Sequence, residues 1–574
     1  MQGNRQGQGG RQLSVLLLQR IQACLLALLF ICCWPSATLY SASVPPDKEY
    51  FDIVKSIDLF SEVYREVSKG YVDTLNVSKL MYAGIDGMLR TLDPYTVFLD
   101  EADSGELDEL TSGQYAGIGV TIASINNMCF VTSVIEGCAA AKAGIKVGDK
   151  IVTINNTEVK KSSFDEVRLL MKGVVGTPLI LRIERNGATP FIAKLMREEV
   201  RVSSVSYSGI IDGTGYFEMK SFGSRSADDL REAFQSLQRQ SKEKHVPLKG
   251  IILDLRNNPG GLLTVAVDVA SLFVNKGSEV VSIRGRALGT AKSYLTTTPP
   301  IDAALPLAVL INSESASASE IVSGAIQDLD RGVIIGERSY GKGLVQSVIR
   351  ISYDNTLKLT TAKYYTPSGR LIQKEKEAAH DTRKVLSKAP VDKATKVFYT
   401  KAKRKVYGNG GITPDIQIAE KAVSPYISEL RKKGMLFLFA NTYSSSFTAM
   451  PPQPIDRKAV MASFNEFLRT RQFIYTSESE RHFNELKESM KNASVEKNAA
   501  WVKTAGLMQQ EVDGLKAQEI AKEFDNVAEV LEQEILRHYS ERLARKAELD
   551  HDSVLKKALE VLSDHRKYSG ILHP

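Results

Sequence analysis

The stretch PLAVLINSESASASEIVSGAI, residues 306–326, decides the fold of this 574-residue chain. Its first part, Pro306 to Ile311, is a continuous apolar run, which is typical of a strand buried on both faces of a sheet. After the serines, Glu320 follows Ser317 at capping-box spacing, and apolar residues then recur at helical intervals. The stretch predicts a buried strand that leads into a helix, with Ser317 at the start of that helix.

A second apolar run, Gly250 to Asp254, predicts another buried strand further upstream. Helical patterns over residues 227–237 and 263–274 lie before and after it. Strands that alternate with helices indicate an α/β core, which we place over residues 199–424. Within this core, the polar and lysine-rich segment from Lys374 to Lys405 predicts a surface insertion.

The regions on either side of the core differ from it in the spacing of their apolar and turn residues. Residues 44–105 and 425–574 carry apolar residues at helical spacing. Residues 106–198 instead carry short strand patterns separated by Gly and Asn turns, which indicate a small β-rich domain. The predicted fold class is therefore multidomain α/β, with an N-terminal helical region, a β-rich domain, an α/β core and a C-terminal helical domain.

The N-terminus has the order of a secretory signal. Arg5, Arg11 and Arg20 precede the largely apolar run 21–34, and small residues follow between 36 and 43. Residues 1–43 are therefore predicted to be a signal peptide that exports the chain to the periplasm or cell envelope. The apolar run is short beside the about 20 residues of a membrane span. An uncleaved anchor that associates with the inner membrane is the alternative.

Composition narrows the classes of function. Apolar residues make up 43% of the chain and charged residues 25%, as in a soluble globular protein, and the net charge of +7 is spread along the sequence. Because no nucleic-acid recognition motif accompanies this charge, we do not expect nucleic acid as a partner. Only Cys129 and Cys138 follow the signal, too few for a disulfide framework. We expect both to be small buried side chains, which fits a bacterial envelope protein.

Ser317 is the first candidate catalytic residue, as a nucleophile, because backbone N–H groups at a helix start can stabilise a developing oxyanion. The alternative is an N-cap without a catalytic role.

Gly260 and Gly261 follow the buried strand 250–254 and a proline, and such glycines let a backbone amide turn toward a ligand. They are candidate oxyanion donors, and a plain strand-to-helix turn is the alternative.

Lys342 is the candidate base. Its segment, GERSYGK over residues 336–342, imitates a phosphate-binding loop, but such a loop needs Ser or Thr and then a helix, whereas Gly343 and a strand pattern follow here. A lysine base must be neutral, against a usual pKa of about 10.4, and burial lowers that pKa. The alternative is a surface lysine in a glycine turn. His245 and His380, the histidines of the core region, lie in hydrophilic stretches.

Six stretches together resemble the carboxyl-terminal processing proteases, also called tail-specific proteases, of peptidase family S41. They occur in the family's order over roughly residues 50–420, and they are Tyr115–Gly119, Asp254–Gly261, Ser315–Glu320, Tyr340–Gln346, Tyr364–Arg370 and Gly410–Asp415. The resemblance implies a protease core of the ClpP/crotonase-like type over 199–424 and a PDZ domain over 106–198.

Carried over residue by residue, the resemblance places the nucleophile at Ser317, the base at Lys342 and an amide that orients the lysine at Gln346. The backbone N–H groups of Ala318 and of Gly260 or Gly261 would form the oxyanion hole. In the PDZ domain, a loop would capture the substrate C-terminus, and residues 163–172 would wall the groove beside it. The residues of that loop are Tyr115, Ala116, Gly117, Ile118 and Gly119.

The implied activity is that of a serine endopeptidase that binds apolar C-termini of exported proteins and cleaves them through an acyl-enzyme, with no cofactor and no metal. Residues 425–574 lie outside the matching stretches, and their helices would form a homo-oligomer, cap the site or hold an adaptor. One alternative is a non-catalytic PDZ scaffold that binds C-termini. Another is an esterase on a related core, which would leave the PDZ loop without a purpose.

Overall fold

The computed structural model of the chain describes residues 48–286, 291–374, 396–447, 449–493 and 497–573. The signal or anchor predicted over residues 1–43 lies outside these ranges, as does most of the predicted surface insertion. In the described part of the chain, no helix has both the length and the apolar character needed to cross a membrane. The chain forms two compact units, one ending at Thr91 and the other beginning at Leu92.

The described part of the first unit is a pair of helices, α1 (Lys48–Gly70) and α2 (Val77–Arg90). The Asn76 side chain caps α2 by accepting a hydrogen bond from the backbone N–H of Lys79. The Tyr64 hydroxyl donates to the carbonyl oxygen of Val77 at 2.9 Å and so ties the two helices together. This pair confirms the helical character predicted for this part of the chain.

The second unit opens with β1 (Val97–Leu99) and α3 (Glu101–Ser112), which lead into the β-rich domain. The elements of that domain are β2 (Gln114–Gly117), β3 (Val120–Ile125), β4 (Met128–Val134), α4 (Ala139–Lys142), β5 (Lys150–Ile154), β6 (Thr157–Glu158), α5 (Phe164–Met171), β7 (Pro178–Glu184), β8 (Phe191–Met196) and β9 (Glu198–Arg201). Five strands follow the order β3-β4-β5-β7-β8, β6 pairs with β5, and β2 pairs with β9 in a separate ribbon. Since β3 ends the order of the larger sheet, it forms an edge of that sheet.

The described residues of the α/β core form three helices, two larger sheets and the two-stranded ribbon β19–β20. Its elements are β10 (Val205–Ile211), β11 (Thr214–Met219), α6 (Ser226–Glu243), β12 (Gly250–Asp254), α7 (Leu263–Ser271), β13 (Glu279–Arg284), β14 (Lys292–Leu295), β15 (Leu307–Ile311), α8 (Ala318–Asp328), β16 (Val333–Gly336), β17 (Leu344–Arg350), β18 (Thr356–Tyr365), β19 (Val397–Tyr399), β20 (Lys405–Tyr407) and β21 (Ile416–Gln417). The main sheet has the order β10-β11-β12-β15-β16-β21 and is parallel from β11 onward. A second sheet has the order β1-β18-β13-β14, with β17 beside β18.

The two apolar runs of the sequence, β12 and β15, are neighbours in the middle of the main sheet, and every residue of both strands is buried. They confirm the predicted α/β core. Helices α6, α7 and α8 contribute to the hydrophobic cluster on one face of this sheet.

The C-terminal region is helical, as predicted. Its elements are α9 (Pro425–Lys432), α10 (Met435–Ser444), α11 (Arg457–Thr470), α12 (Glu478–Asn492), α13 (Ala499–Lys522), α14 (Phe524–Arg537), α15 (Glu541–Asp550), α16 (Ser553–Ser563) and α17 (His565–Leu572). The last two helices cover the other face of the main sheet, where Leu555 and Val561 share a buried cluster with Ile252 and Leu310. The strands are thus buried on both faces because the end of the chain returns to the core.

Candidate active site

Ser317 lies at the junction of β15 and α8, in a backbone conformation that few non-glycine residues adopt. Its φ is 55° and its ψ is −112°, whereas an ordinary N-cap residue has an extended backbone. Such a conformation persists only where the surrounding structure holds it, and it is found most often at functional sites. The geometry therefore favours a functional role for Ser317 over that of a simple helix cap.

Three of the four alternating serines of the cluster, Ser315, Ser317 and Ser319, have different surroundings. The Ser315 hydroxyl donates to the carbonyl oxygen of Leu255 at 2.9 Å, and the Ser319 hydroxyl donates to that of Asn258 at 2.9 Å. Both serines are fully buried, whereas Ser317 is partly exposed. Because a nucleophile must be reachable, Ser317 is the one of the three that suits attack on a substrate.

The glycine loop after β12 packs directly against this serine. A β-carbon at Gly260 would lie 2.8 Å from the Ser317 β-carbon and 2.8 Å from the backbone nitrogen of Ala318, so a side chain would not fit without movement. The N–H of Gly260 donates to Asn258 Oδ1 at 2.9 Å, which leaves Gly261 as the better candidate donor of the two glycines. Ala318 begins α8, where the first N–H groups have no acceptor within the helix.

The same loop is anchored to the C-terminal helices. Arg256 donates to Asp254 Oδ2 and to Asp552 Oδ2, both at 2.5 Å. Asp552 also caps α16 by accepting from the backbone N–H groups of Val554 and Leu555, each at 2.9 Å. A buried arginine therefore joins the last part of the chain to the loop that carries the candidate oxyanion donors.

Glu320 connects the nucleophile segment to the lysine segment. Its carboxylate is fully buried and accepts four hydrogen bonds, two of them from the backbone N–H groups of Ser317 at 2.8 Å and Lys342 at 2.9 Å. The other two donors are the Ser339 hydroxyl at 2.6 Å and the Gly341 N–H at 2.7 Å. Burial raises the pKa of Glu320 to about 7, although these hydrogen bonds oppose the rise.

Lys342 is half-buried, and its Nζ lies 4.7 Å from the centroid of the Tyr95 ring. Burial lowers the pKa of Lys342 to about 8, and the ammonium group of Lys358 acts in the same direction, while Glu320 and Asp93 oppose the change. At this pKa a substantial fraction of the side chain is neutral in mildly alkaline solution. The lysine thus has the electrostatic surroundings that a general base requires.

Gln346 and Tyr364 lie on the neighbouring strands β17 and β18. The Gln346 side chain donates to Thr360 Oγ1 at 3.3 Å across this hairpin, and its role in orienting Lys342 stays a prediction. The Tyr364 hydroxyl lies within hydrogen-bond distance of the carbonyl oxygens of both Ser317 and Lys342. Tyr364 therefore contacts the carbonyl oxygens of Ser317 and Lys342, and Glu320 contacts their N–H groups, so both side chains connect the same two backbone segments.

The five residues predicted to bind a substrate C-terminus divide between a strand and a turn. Tyr115, Ala116 and Gly117 belong to β2, which pairs with β9, and the Ile118 side chain is buried in the core of the domain. Gly119 has a φ of 78° and leads into the edge strand β3. Burial raises the pKa of the Tyr115 hydroxyl to about 12.

Three family models match successive parts of the chain. Residues 130–185 match the PDZ domain, residues 213–418 match peptidase family S41, and residues 426–562 match the C-terminal helical domain of PDZ-proteases. A carboxy-terminal-processing protease of Bartonella bacilliformis is 39% identical over 321 residues, which cover 56% of this chain and 73% of that protein. This chain belongs to the carboxy-terminal processing proteases of peptidase family S41.

Other members of the family are also similar. The carboxy-terminal processing protease CtpA of Bacillus subtilis is 31% identical over 366 residues, which cover 63% of this chain and 75% of that protein. A solved structure of a photosystem II D1 C-terminal processing protease is 29% identical, covers 63% of this chain and 92% of its own, and has a TM-score of 0.33. The chain is accordingly a serine-type peptidase with a PDZ domain.

Several residues of the site were not singled out as functional by sequence reasoning. The sequence pattern identifies Glu320 only as half of a capping box. It gives no sign that the Glu320 carboxylate accepts hydrogen bonds from four donors in two segments. Tyr95 and Thr360 are distant from the serine and the lysine along the chain, so only the fold brings them together. Among the described residues, no group of three or more His, Cys, Asp or Glu side chains is arranged to hold a metal ion.

Proposed function

We propose that this peptidase is an endopeptidase with a Ser317–Lys342 dyad that captures apolar C-termini through its PDZ domain and cleaves by way of an acyl-enzyme. The observation that carries the proposal is the buried Glu320 carboxylate, which accepts hydrogen bonds from the backbone N–H groups of both Ser317 and Lys342. One side chain thereby fixes the backbone of the candidate nucleophile relative to that of the candidate base. A shared anchor of this kind supports a common role for the two residues.

The proposed reaction uses these groups in sequence. Neutral Lys342 takes the Ser317 hydroxyl proton while the serine oxygen attacks the scissile carbonyl carbon. The N–H groups of Ala318 and Gly261 donate to the oxyanion that forms. The carbon–nitrogen bond then breaks, and the Lys342 ammonium returns its proton to the leaving amine. Water, deprotonated by Lys342, attacks the acyl carbon. The ester bond to Ser317 then breaks, and the Lys342 ammonium returns the proton to the serine oxygen, which restores the hydroxyl and the neutral base.

Substrate capture would use the edge of the PDZ sheet. An extended peptide can add beside an edge strand such as β3, with its terminal carboxylate near the N–H groups around Gly119. Val120 and Ile122 on β3 and Leu170 on α5 are partly buried and pack against the apolar core of the domain. Apolar side chains between β3 and α5 support a preference for apolar C-terminal residues.

Export to the periplasm or cell envelope is part of the proposal, and it rests on the signal-like order of residues 1–43. Fractionation of cells that carry the full chain tests it directly, together with the N-terminal sequence of the mature protein. Recovery in the cytosol with an intact N-terminus would contradict export.

The dyad is tested with Ser317→Ala, which should lose cleavage of a peptide with an apolar tail and labelling by a fluorophosphonate. The same variant should still bind the tail, since the PDZ domain is unchanged. Ser313→Ala is the matched control, because Ser313 is an exposed serine four residues away, and it should retain activity. Cleavage by purified Ser317→Ala would contradict the dyad, and tail binding without any cleavage by the wild-type protein would favour a scaffold.

A further inference from the structure

A turn that precedes β1 lies against the candidate base. Asp93 Oδ1 accepts from the backbone N–H groups of Tyr95 at 2.8 Å and Thr96 at 2.9 Å, and Asp93 Oδ2 accepts from the Thr96 hydroxyl at 2.9 Å. These three hydrogen bonds form an Asx-type turn with a defined shape. The turn therefore presents the Tyr95 ring and the Thr96 hydroxyl in fixed directions.

Both side chains of the turn reach the catalytic groups. Lys342 Nζ lies over the Tyr95 ring, 4.7 Å from its centroid. Thr96 Oγ1 accepts from the backbone N–H of Thr360 at 3.2 Å, and Thr360 Oγ1 accepts from Gln346 Nε2 at 3.3 Å. One turn thus contacts the candidate base directly and the candidate orienting amide through a single threonine.

An aromatic face attracts an ammonium group and gives a neutral amine little stabilisation. The contact with Tyr95 therefore favours the charged form of Lys342, which cannot accept the Ser317 proton. Other charged groups also face this lysine, namely Lys358 from β18, Glu320 from α8 and Asp93 from the turn itself. The Tyr340 hydroxyl interacts with that of Tyr95.

We propose that Tyr95 is a positioning residue that holds Lys342 as an ammonium group in a resting arrangement, and that the lysine leaves the ring when the enzyme acts on a substrate. The proposal rests on the Ser317–Lys342 dyad of the proposed function. The turn Asp93–Thr96 thereby keeps the base inactive in the resting enzyme. When the contact between Lys342 and the Tyr95 ring is broken, Lys342 is free to turn toward Ser317.

The segment that carries Tyr95 continues toward the PDZ domain. The turn is followed by β1 and then by α3, in which Glu106 pairs with Arg168 at 2.7 Å and Glu109 pairs with Lys172 at 2.6 Å. Arg168 belongs to α5 and Lys172 follows its last residue, beside the groove proposed for the substrate tail. A peptide that fills this groove would therefore act on the same stretch of chain that positions Tyr95.

The test compares Tyr95→Phe, which keeps the aromatic face, with Tyr95→Leu, which keeps an apolar side chain without it. The rate at which a fluorophosphonate labels Ser317 is measured against pH for the full chain. We expect the midpoint for Tyr95→Phe to equal that of the wild type and the midpoint for Tyr95→Leu to fall by roughly half to one pH unit. At pH 7 the leucine variant should then be labelled roughly three- to fivefold faster, because more of its Lys342 is neutral.

Equal midpoints for the phenylalanine and leucine variants would overturn the role of Tyr95, whether or not they match the wild type. The midpoint does not depend on how much of a variant is folded, so a partial loss of stability leaves the comparison intact. Ser317→Ala separates this proposal from the proposed function. Labelling that survives in Ser317→Ala contradicts the dyad itself, whereas Ser317-dependent labelling with equal midpoints contradicts only the role of Tyr95.

Discussion

The two halves of the candidate site are built in different ways. Ser317 lies where the buried strand β15 meets α8, a helix in which every residue is buried. Lys342 and Gln346 lie in a loop and on β17, a strand that is partly exposed over its first four residues and exposed over its last three. Packing on all sides holds the candidate nucleophile, whereas individual polar and aromatic contacts position the candidate base. The base side is therefore the half that a bound substrate can move at small cost.

Glu320 is the point at which the two halves meet, and its replacement should have the largest effect. In Glu320→Gln one acceptor oxygen becomes an NH₂ group, which cannot accept a hydrogen bond. In one orientation of the amide this group faces the N–H groups of Ser317 and Lys342, and in the other it faces the N–H of Gly341. We expect kcat/KM to fall by roughly 100-fold or more, because misplacement of a nucleophile or base by about 1 Å has effects of that order. Steady-state hydrolysis of a tailed peptide measures it.

Glu314→Gln is the control for this change, since Glu314 is an exposed glutamate in the same serine cluster. It should retain wild-type activity. If both glutamine variants were equally active, Glu320 would not hold the two halves together, and packing alone would have to do so.

The burial of the nucleophile half depends on the end of the chain. Leu555 on α16 is 1% exposed and packs on the main sheet beneath β12 and β15. Leu555→Ala should lower the free energy of unfolding by about 2–5 kcal/mol, because the deleted methyl groups leave a cavity in a packed interface. Denaturant unfolding followed by intrinsic fluorescence measures this loss.

Leu543→Ala is its counterpart, since Leu543 on α15 is 39% exposed. We expect this variant to lose at most about 0.5 kcal/mol of stability. Equal losses in the two alanine variants would mean that α16 is not an integral layer of the protease core.

The sequence could predict the nucleophile half better than the base half for a physical reason. Continuous apolar runs predict buried strands wherever they occur, so the run at 306–311 and the capping box that follows it predict a strand-to-helix junction at Ser317. The sequence does not show that α16 and α17 cover the second face of these strands, since an apolar run does not identify the element that packs against it. The contacts of Lys342 with Tyr95 and of Gln346 with Thr360 join residues far apart in the chain, and no local pattern encodes them.

The route from the PDZ domain to the base half can be tested through the pair Lys172 and Glu109, which lie 2.6 Å apart. In Lys172→Glu, two carboxylates face each other, and the link between α5 and α3 weakens. We expect hydrolysis of a peptide with an apolar C-terminus to fall by roughly fivefold, with little change for a peptide whose C-terminus is amidated. Parallel kinetic assays with the two peptides measure the difference.

A charge swap sharpens this test. Combining Lys172→Glu with Glu109→Lys restores an ion pair and should recover the response to the free C-terminus. Lys161→Glu, which reverses one charge of the exposed PDZ ion pair with Glu158, serves as the control and should behave as the wild type. Failure of the swap to recover activity would show that Lys172 acts by some means other than its contact with α3.

The smallest effect should come from Lys358, a half-buried lysine on β18 that lowers the pKa of Lys342 through repulsion between like charges. In the proposed mechanism the neutral form of Lys342 is the base, so kcat/KM of the wild type should rise with pH through about 8 and be constant above it. Protonation of Glu320, whose pKa is about 7, should make the decline steeper at lower pH. Lys358→Met removes the repulsion, so the pKa of Lys342 rises and the profile moves toward higher pH.

Lys363→Met is the matched control, since Lys363 lies on the same strand but is exposed, and its profile should coincide with that of the wild type. A Lys358→Met profile that moves toward lower pH would contradict this electrostatic assignment. It would mean that removing the second lysine changes the hydration of the pocket more than its charge. The base half would then owe its low pKa to burial alone, as the nucleophile half owes its geometry to packing.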